Sequence, residues 1–283
     1  METKTRKHKV MDKHPIGGSL LFSLVMLLVL LTITNIFLTP LVLIFGQNDN
    51  ITLIIMIITT ILSNFIIIWW FRPETKGMFA EYNLKPAMMI CTCFFIYWVV
   101  GTIFMLIEGI KIGFPSFAGI RTSLFAGISE EVIFRAFIIL PLMRRDADKK
   151  RMIIAMIISS VLFGLIHGAN ALEGADPLVT LNQVVVTALL GMCFCALFLA
   201  SGNLIFCILM HALTDIVAFM NVTGVSDNGI MQGTLTKGTI IDDVLVIVIV
   251  FIVLRYFFSK PVMDATTELW KKKWKVAESE YSE

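Results

Sequence analysis

Charged residues are scarce in this sequence. Asp, Glu, Lys and Arg make up 16% of the 283 residues, whereas 57% are hydrophobic, and the mean hydropathy is +0.86. Soluble domains carry about 25% charged residues, so a soluble globular protein of this composition is excluded. The composition predicts instead an all-α, polytopic membrane protein built as a helical bundle. The net charge of +2 gives no reason to expect a nucleic-acid partner.

Signatures of structural metals and disulfides are also lacking. The five cysteines all lie inside apolar runs, where we interpret them as small packing residues: Cys91, Cys93, Cys193, Cys195 and Cys207. The absence of an H-E-x-x-H motif disfavours a zincin, although it leaves another metal arrangement open. We therefore expect no cofactor. The two halves of the chain also lack matched broken helices, which makes a transporter a weaker alternative.

Long apolar runs are what the sequence does contain. Runs long enough to cross a bilayer occur at residues 16–45, 51–71, 87–110, 117–143, 151–168, 178–200, 203–220 and 241–259. They predict about eight transmembrane helices. The chain then divides into a basic N-terminal tail (1–15), a single transmembrane domain (16–259) and a basic C-terminal tail (260–283).

The distribution of Lys and Arg predicts the orientation in the membrane. Eighteen of them lie in the N-terminal tail, the 72–86 and 144–151 loops and the C-terminal tail, against three in the intervening loops. The positive-inside rule therefore places both termini in the cytoplasm. In the C-terminal tail, Trp270 and Trp274 lie four residues apart with lysines between them, which suits an amphipathic helix on an anionic leaflet as well as it suits a solvated tail.

The most unusual stretch is ISEEVIFRAF at residues 128–137. An ionised side chain at the bilayer centre costs at least about 2.5–3.5 kcal/mol, so the three in this stretch need a reason. Glu131 and Arg135 are four residues apart and are predicted to pair on one helix face. Glu130 lies about 100° further round the helix, so it stays available for another role.

Among the ionisable residues of the later predicted spans, we single out His167, His211 and Asp215. A rise of about 1.5 Å per residue puts all of them within the hydrocarbon layer, so three helices could converge on one buried polar chamber. Singly, each could be an interhelical hydrogen-bond partner, and the Glu–Arg pair could simply brace the bundle. Together they suit peptide hydrolysis, with a carboxylate as general base on water and histidines as oxyanion donors. A Glu/His/His zinc site is the competing chemistry.

Three motifs follow one another on successive spans: E-E-x-x-x-R at Glu130, F-x-x-x-H ending at His167, and H-x-x-x-N/D from His211 to Asp215. Over about residues 115–220 they resemble the CAAX protease and bacteriocin-processing (CPBP, or Abi) family, which includes the type II CAAX prenyl endopeptidases.

This resemblance implies an eight-helix intramembrane glutamic endopeptidase. In it Glu130 would activate water with help from His167, and Glu131 and Arg135 would orient and support the site. His211 and the residue at position 215 would stabilise the oxyanion. The prenyl-protease members usually carry Asn where this chain has Asp215. An ionised Asp cannot donate a hydrogen bond, so Asp215 would instead orient His211 or be protonated.

We therefore expect a multi-pass endopeptidase of the cell membrane that cuts a membrane-associated peptide or small protein near the cytoplasmic face. Its expected partners are that substrate and membrane lipid, with anionic lipid at the basic tails. The alternative that the resemblance allows is a non-proteolytic protein for bacteriocin self-immunity or for regulation of a membrane partner.

Overall fold

The computed structural model describes residues 14–45, 78–79, 81–145, 147–220 and 235–279, together with residues 51, 54, 55, 58 and 62. Within these ranges the regular structure is helical throughout. The α-helices there are α1 (Pro15–Phe45), α2 (Leu84–Ile107), α3 (Phe117–Glu131), α4 (Phe137–Arg145), α5 (Lys149–Ile166), α6 (Pro177–Ser201), α7 (Leu204–Phe219), α8 (Lys237–Phe257) and α9 (Lys260–Ser279). A π-helical turn (Val132–Ala136) joins α3 to α4, and a 3-10 turn (His167–Glu173) follows α5.

The helices agree with seven of the eight predicted spans, and the all-α prediction is confirmed. The remaining predicted span, 51–71, and the basic tail before residue 14 lie outside the described residues, apart from the five single positions in that span. Three helical segments are long and apolar enough to cross a membrane: Leu84–Ile107, Lys149–Glu173 and Pro177–Ser201. Two shorter apolar helices, Ile16–Val29 and Leu204–Phe219, accompany them. The count of eight spans and the position of the termini stay predictions.

Side-chain caps fix where several helices begin. Asp148 accepts a hydrogen bond from the Arg151 amide at the start of α5, and Asp176 accepts from the Val179 amide at the start of α6. These carboxylates satisfy amide groups that the first helical turn leaves without partners. Gly202, with φ 72°, ends α6 and turns the chain directly into α7. The short turn makes α6 and α7 neighbours in the bundle.

The centre of the bundle is α6, which packs against α2, α5, α7, α8 and α9. Two glycines on neighbouring helices allow especially close contact. A Cβ at Gly164 of α5 would lie 2.5 Å from the Val184 carbonyl oxygen of α6, and one at Gly127 of α3 would lie 2.9 Å from the Ile208 carbonyl oxygen of α7. These contacts bring the polar stretches of α3, α5 and α7 together.

The C-terminal tail forms the predicted amphipathic helix, but its inner face contacts protein. Trp270 is fully buried, and its indole N–H donates to the Leu199 carbonyl oxygen at 2.8 Å. Neither interpretation of the tail, a helix on the lipid surface or a solvated segment, applies to Trp270, because its ring fills the space at the end of α6. Lys271 and Lys272 remain exposed, and Lys272 pairs with Glu81 at 2.9 Å.

The close packing of α5 on α6 predicts different effects on stability for substitutions at two nearby glycines. Gly164→Ala should destabilise the protein by about 1–3 kcal/mol, because the added methyl meets backbone that cannot move aside. Gly168→Ala should be nearly neutral, since the nearest atom to its Cβ is the Val184 side chain at 3.8 Å. Thermal unfolding in detergent measures both, and equal melting temperatures for the two variants would contradict the packing described.

Lys273 predicts a pH-dependent contribution to stability. Burial lowers the pKa of Lys273 to about 8, with the Glu81 charge opposing the shift, and the residue is 3% exposed. The unfolded chain therefore binds this proton more tightly than the folded chain does. The resulting loss of folding stability is fully present below pH 8 and disappears above 10.5, the pKa of this lysine in the unfolded chain.

Lys273→Met should accordingly raise the free energy of unfolding by up to about 3 kcal/mol at pH 7, with the gain shrinking towards pH 10.5. Lys272→Met is the matched control, because the ammonium of Lys272 is exposed and its pair with Glu81 contributes little. Unfolding curves of both variants between pH 7 and 10.5 measure how the gain in stability depends on pH. A gain at Lys273 that did not vary with pH would argue against buried charge as its cause.

Candidate active site

A π-helical turn begins immediately after the two adjacent glutamates. The Phe137 amide donates to the Val132 carbonyl five residues earlier, and the five residues Val132–Ala136 are buried. Such turns shift the register of a helix and often occur at functional sites. The sequence predicted an uninterrupted α-helix here. The one feature of the sequence that points to an irregular helix there is Pro141, because proline has no N–H to donate to the Phe137 carbonyl.

The predicted ion pair of Glu131 and Arg135 is present and lies in the protein interior. Arg135 Nη1 is 3.1 Å from Glu131 Oε1, and both side chains are fully buried. The guanidinium also lies over the Phe163 ring at 4.2 Å and 5.3 Å from the Phe194 ring centre. The carboxylate and the two aromatic faces together compensate the charge of an arginine that has no access to solvent.

One imidazole links three carboxylates. His211, which is buried, approaches Glu131 Oε1 with Nδ1 at 2.8 Å, and because a carboxylate accepts, Nδ1–H is the donor. The opposite nitrogen, Nε2, faces Glu130 Oε2 at 3.9 Å and Asp215 Oδ2 at 3.6 Å. The ring is therefore anchored on the buried side by Glu131 and presents Nε2 to the two other carboxylates.

The second histidine is held by backbone. His167 begins the 3-10 turn after α5, and its Nδ1–H donates to the Phe163 carbonyl oxygen at 2.9 Å. This bond leaves Nε2 as the acceptor nitrogen of the neutral ring. The Phe163 ring stands between the two imidazoles, with ring centres 5.2 Å from His167 and 5.5 Å from His211, edge-on to both.

Phe194 is a site residue that sequence reasoning missed. Its ring stacks on His211 with centres 5.1 Å apart and an angle of 18° between the planes. Phe194 lies in the long buried half of α6, where nothing in the sequence separates it from the other apolar residues. With Phe163, it fixes the plane of the His211 ring, so hydrogen bonds and aromatic contacts orient that imidazole together.

A cavity of about 340 Å³ lies beside these groups. Four of the six predicted site residues line it: Glu130, His167, His211 and Asp215. The other two, Glu131 and Arg135, lie behind the cavity wall, where they contact the lining residues His211, Phe163 and Phe194. The predicted convergence of three helices on one polar chamber is therefore present, with α2, α6 and α8 completing its walls.

Glu130 has a free acceptor at this chamber. Its Oε2 atom makes no hydrogen bond with any described residue, although the atom is shielded by the surrounding protein. A carboxylate oxygen in such a position accepts readily from a small polar molecule. Among the described residues, no three His, Cys, Asp or Glu side chains are placed to share a metal ion.

The chamber continues past the histidines into a polar region that the sequence did not reveal. There the Tyr97 hydroxyl donates to Asp242 at 2.9 Å, and the Asn182 amide donates to Asp243 at 3.2 Å. The adjacent aspartates in the first turns of α8 were the available signal, since that run is otherwise apolar. Pairing with α2 and α6 explains how they are accommodated there.

Comparison with known proteins gives one match. Residues 111–217 match the family described as type II CAAX prenyl endopeptidase Rce1-like. They form a CAAX protease-family domain. The domain extends from just before α3 into α7 and contains all six predicted site residues, so the family resemblance seen in the motifs is confirmed. No curated protein and no solved structure matches the chain.

The buried pair predicts strongly coupled substitutions in this CAAX protease-family domain. Glu131→Gln or Arg135→Leu alone should each destabilise the protein by about 3–5 kcal/mol, because each leaves one charge of the pair buried without the other. The double variant should lose much less than the sum of the two. Thermal unfolding of the four proteins measures the coupling. The exposed pair of Glu81 and Lys272 is the control, with a coupling of about 1 kcal/mol or less. Additive losses at Glu131 and Arg135 would contradict the pairing.

Proposed function

We propose that this protein is an intramembrane endopeptidase that hydrolyses a peptide bond in a membrane-associated peptide or small protein. The observation that carries the proposal is the free acceptor of Glu130 at a chamber that two histidines and Asp215 also line. The CAAX protease-family domain over residues 111–217 supports the same reaction class.

Glu130 is the proposed general base. It takes a proton from a water molecule as the water oxygen forms a bond to the scissile carbonyl carbon, giving a tetrahedral intermediate. The same proton then passes to the departing amine nitrogen as the C–N bond breaks. His167 assists by accepting a hydrogen bond from the attacking water at Nε2, the nitrogen that its bond to the Phe163 carbonyl leaves as an acceptor.

His211 is the proposed oxyanion donor. In its doubly protonated form, Nε2–H points into the chamber while Nδ1–H stays on Glu131. Donors fixed before the reaction stabilise the developing charge without reorganisation, typically by a factor of about 10²–10³ in rate for one donor. Glu131 and Arg135 are positioning residues that hold this ring. Asp215, 3.6 Å from Nε2, orients the ring when ionised and donates a hydrogen bond when protonated.

We further infer an arrangement of about eight spans in the cell membrane, with both termini in the cytoplasm. The three span-length helices and the Lys/Arg distribution support it. The substrate is then a peptide or a segment of a membrane protein. Anionic lipid is the proposed partner of the exposed lysines on α9.

Replacement of the proposed base provides the test. Cells expressing the wild type, Glu130→Gln or Glu173→Gln at matched membrane levels are compared by peptidomics. Glu173 is exposed in the 3-10 turn beyond the chamber lining and serves as the carboxylate control. A peptide fragment should appear with wild type and Glu173→Gln, and should fall at least about 100-fold with Glu130→Gln, because the amide cannot accept the proton.

Full activity of Glu130→Gln would remove Glu130 as the base. Identical peptide profiles in all three strains and in cells without the protein would contradict a protease altogether.

A further inference from the structure

A buried serine on α5 joins the π turn to two other elements. Ser159, which has no exposed surface, donates its hydroxyl hydrogen to the Phe134 carbonyl oxygen at 2.6 Å. The same hydroxyl accepts a hydrogen bond from Cys195 Sγ of α6 at 3.3 Å. The hydroxyl thus acts as a donor and as an acceptor at the point where the π turn, α5 and α6 meet.

The π turn needs a partner of this kind. Its Phe137 amide bonds the Val132 carbonyl five residues earlier, so the regular pattern of bonds four residues apart is interrupted. Water is not available at such an interruption inside a membrane, and Ser or Thr side chains are among the groups that satisfy the backbone there. Phe134 is the middle residue of the turn, and Ser159 supplies a hydrogen bond to its carbonyl. This bond fixes the turn against α5.

The position of Arg135 depends on this turn. Arg135 directly follows Phe134 and is fully buried, yet none of its guanidinium nitrogens makes a hydrogen bond with a described residue. The charge of Glu131 and the faces of the Phe163 and Phe194 rings hold it instead. Charge attraction changes gradually with distance, whereas a hydrogen bond weakens steeply as its angle departs from the optimum. Because the guanidinium lacks directional contacts, its position follows the backbone of the π turn.

One oxygen atom connects Arg135 to His211. Arg135 Nη1 lies 3.1 Å from Glu131 Oε1, and His211 Nδ1 lies 2.8 Å from the same oxygen. A displacement of the guanidinium therefore displaces the oxygen that anchors the imidazole. On the opposite side of the ring, Nε2 faces Glu130 Oε2 at 3.9 Å and Asp215 Oδ2 at 3.6 Å. The backbone of the π turn is thus linked, through two contacts, to the nitrogen that faces the chamber.

We propose that Ser159 is a positioning residue of the candidate site. By holding the Phe134 carbonyl, its hydroxyl sets the position of Arg135 and, through Glu131, the orientation of the His211 ring. Ser159 itself does not line the chamber, so it acts through these residues. The consequence for the reaction rests on the proposed function, whereas the effect on His211 does not depend on it.

The adjacent residue provides a matched control. Ser160 also has no exposed surface, and its hydroxyl lies 3.6 Å from Cys195 Sγ. Within the part of the chain that the structure describes, no hydrogen bond joins Ser160 to the π turn. Ser160→Ala therefore removes a hydroxyl that is equally buried and contacts the same thiol, and it leaves the bond to Phe134 in place.

Nuclear magnetic resonance of the full chain in detergent tests the effect on His211. The sequence contains four histidines, so isotope labelling of the histidine nitrogens gives few signals, and His211→Gln identifies the signal of His211 by its loss. In Ser159→Ala the Nδ1 signal of His211 should shift, because the hydrogen bond to Glu131 changes. In Ser160→Ala it should stay in place. Ser159→Cys keeps a weak donor at this position and should give a smaller shift than Ser159→Ala.

An unshifted His211 signal in Ser159→Ala, or equal shifts in the two alanine variants, would overturn the proposal. If Ser159→Ala does not accumulate in the membrane, Ser159→Cys is compared with Ser160→Ala in the same way. An unshifted His211 signal in Ser159→Cys would then overturn it.

For the reaction, the expected effect is on turnover rather than on substrate binding. Once the fragment of the proposed function is known, Ser159→Ala should lower kcat for its release by up to about 100-fold, since a misplacement of about 1 Å costs that much in rate. KM should stay unchanged, because Ser159 is not part of the chamber lining. Ser160→Ala should release the fragment as the wild type does.

A raised KM with an unchanged kcat in Ser159→Ala would contradict a positioning role. Loss of release in Glu130→Gln tests the reaction itself, whereas the His211 signal tests Ser159 without any proteolysis. The two proposals therefore fail separately.

Discussion

The Glu131–Arg135 pair is the constraint around which the central helices are arranged. Neither charge reaches solvent, and a buried ion pair is costly unless further contacts compensate the two charges. His211 supplies a donor to Glu131, and Phe163 supplies an aromatic face to Arg135. These requirements fix α7 and α5 against the π turn after α3. The geometry of the candidate site is therefore largely set by the contacts that compensate this one arginine.

Close backbone contact makes this arrangement possible. Gly127 lets α3 approach α7 until Glu131 reaches His211, and Gly164 lets α5 approach α6 so that Phe163 and Phe194 enclose the arginine. In a membrane, small residues at helix interfaces replace the hydrophobic driving force that packs soluble cores. The polar cluster and the glycines thus depend on each other, since the hydrogen bonds need the short separation that the missing side chains permit.

Local spacing predicted much of the site. The i,i+4 relation of Glu131 to Arg135 predicted the ion pair, and the depth of the polar residues on three spans allowed for their convergence without establishing it. The division between Glu130 at the chamber and Glu131 behind it is also a consequence of helical period. The sequence did not predict the π turn, because the i,i+4 spacing of Glu131 and Arg135 equally suits an unbroken α-helix. Contacts between residues far apart in the chain determine the position of Phe194, the Tyr97–Asp242 bond and the burial of Trp270. The periodicity of the sequence does not reveal such contacts.

The contact of three carboxylates with one imidazole means that none of the three can be studied in isolation. His211 Nδ1 lies 2.8 Å from Glu131, and Nε2 lies 3.6 Å from Asp215 and 3.9 Å from Glu130. Residues that share one partner are coupled, so the effects of replacing them do not add. Replacing any one of the three carboxylates therefore produces a rearranged cluster around His211 rather than the original cluster with one part removed.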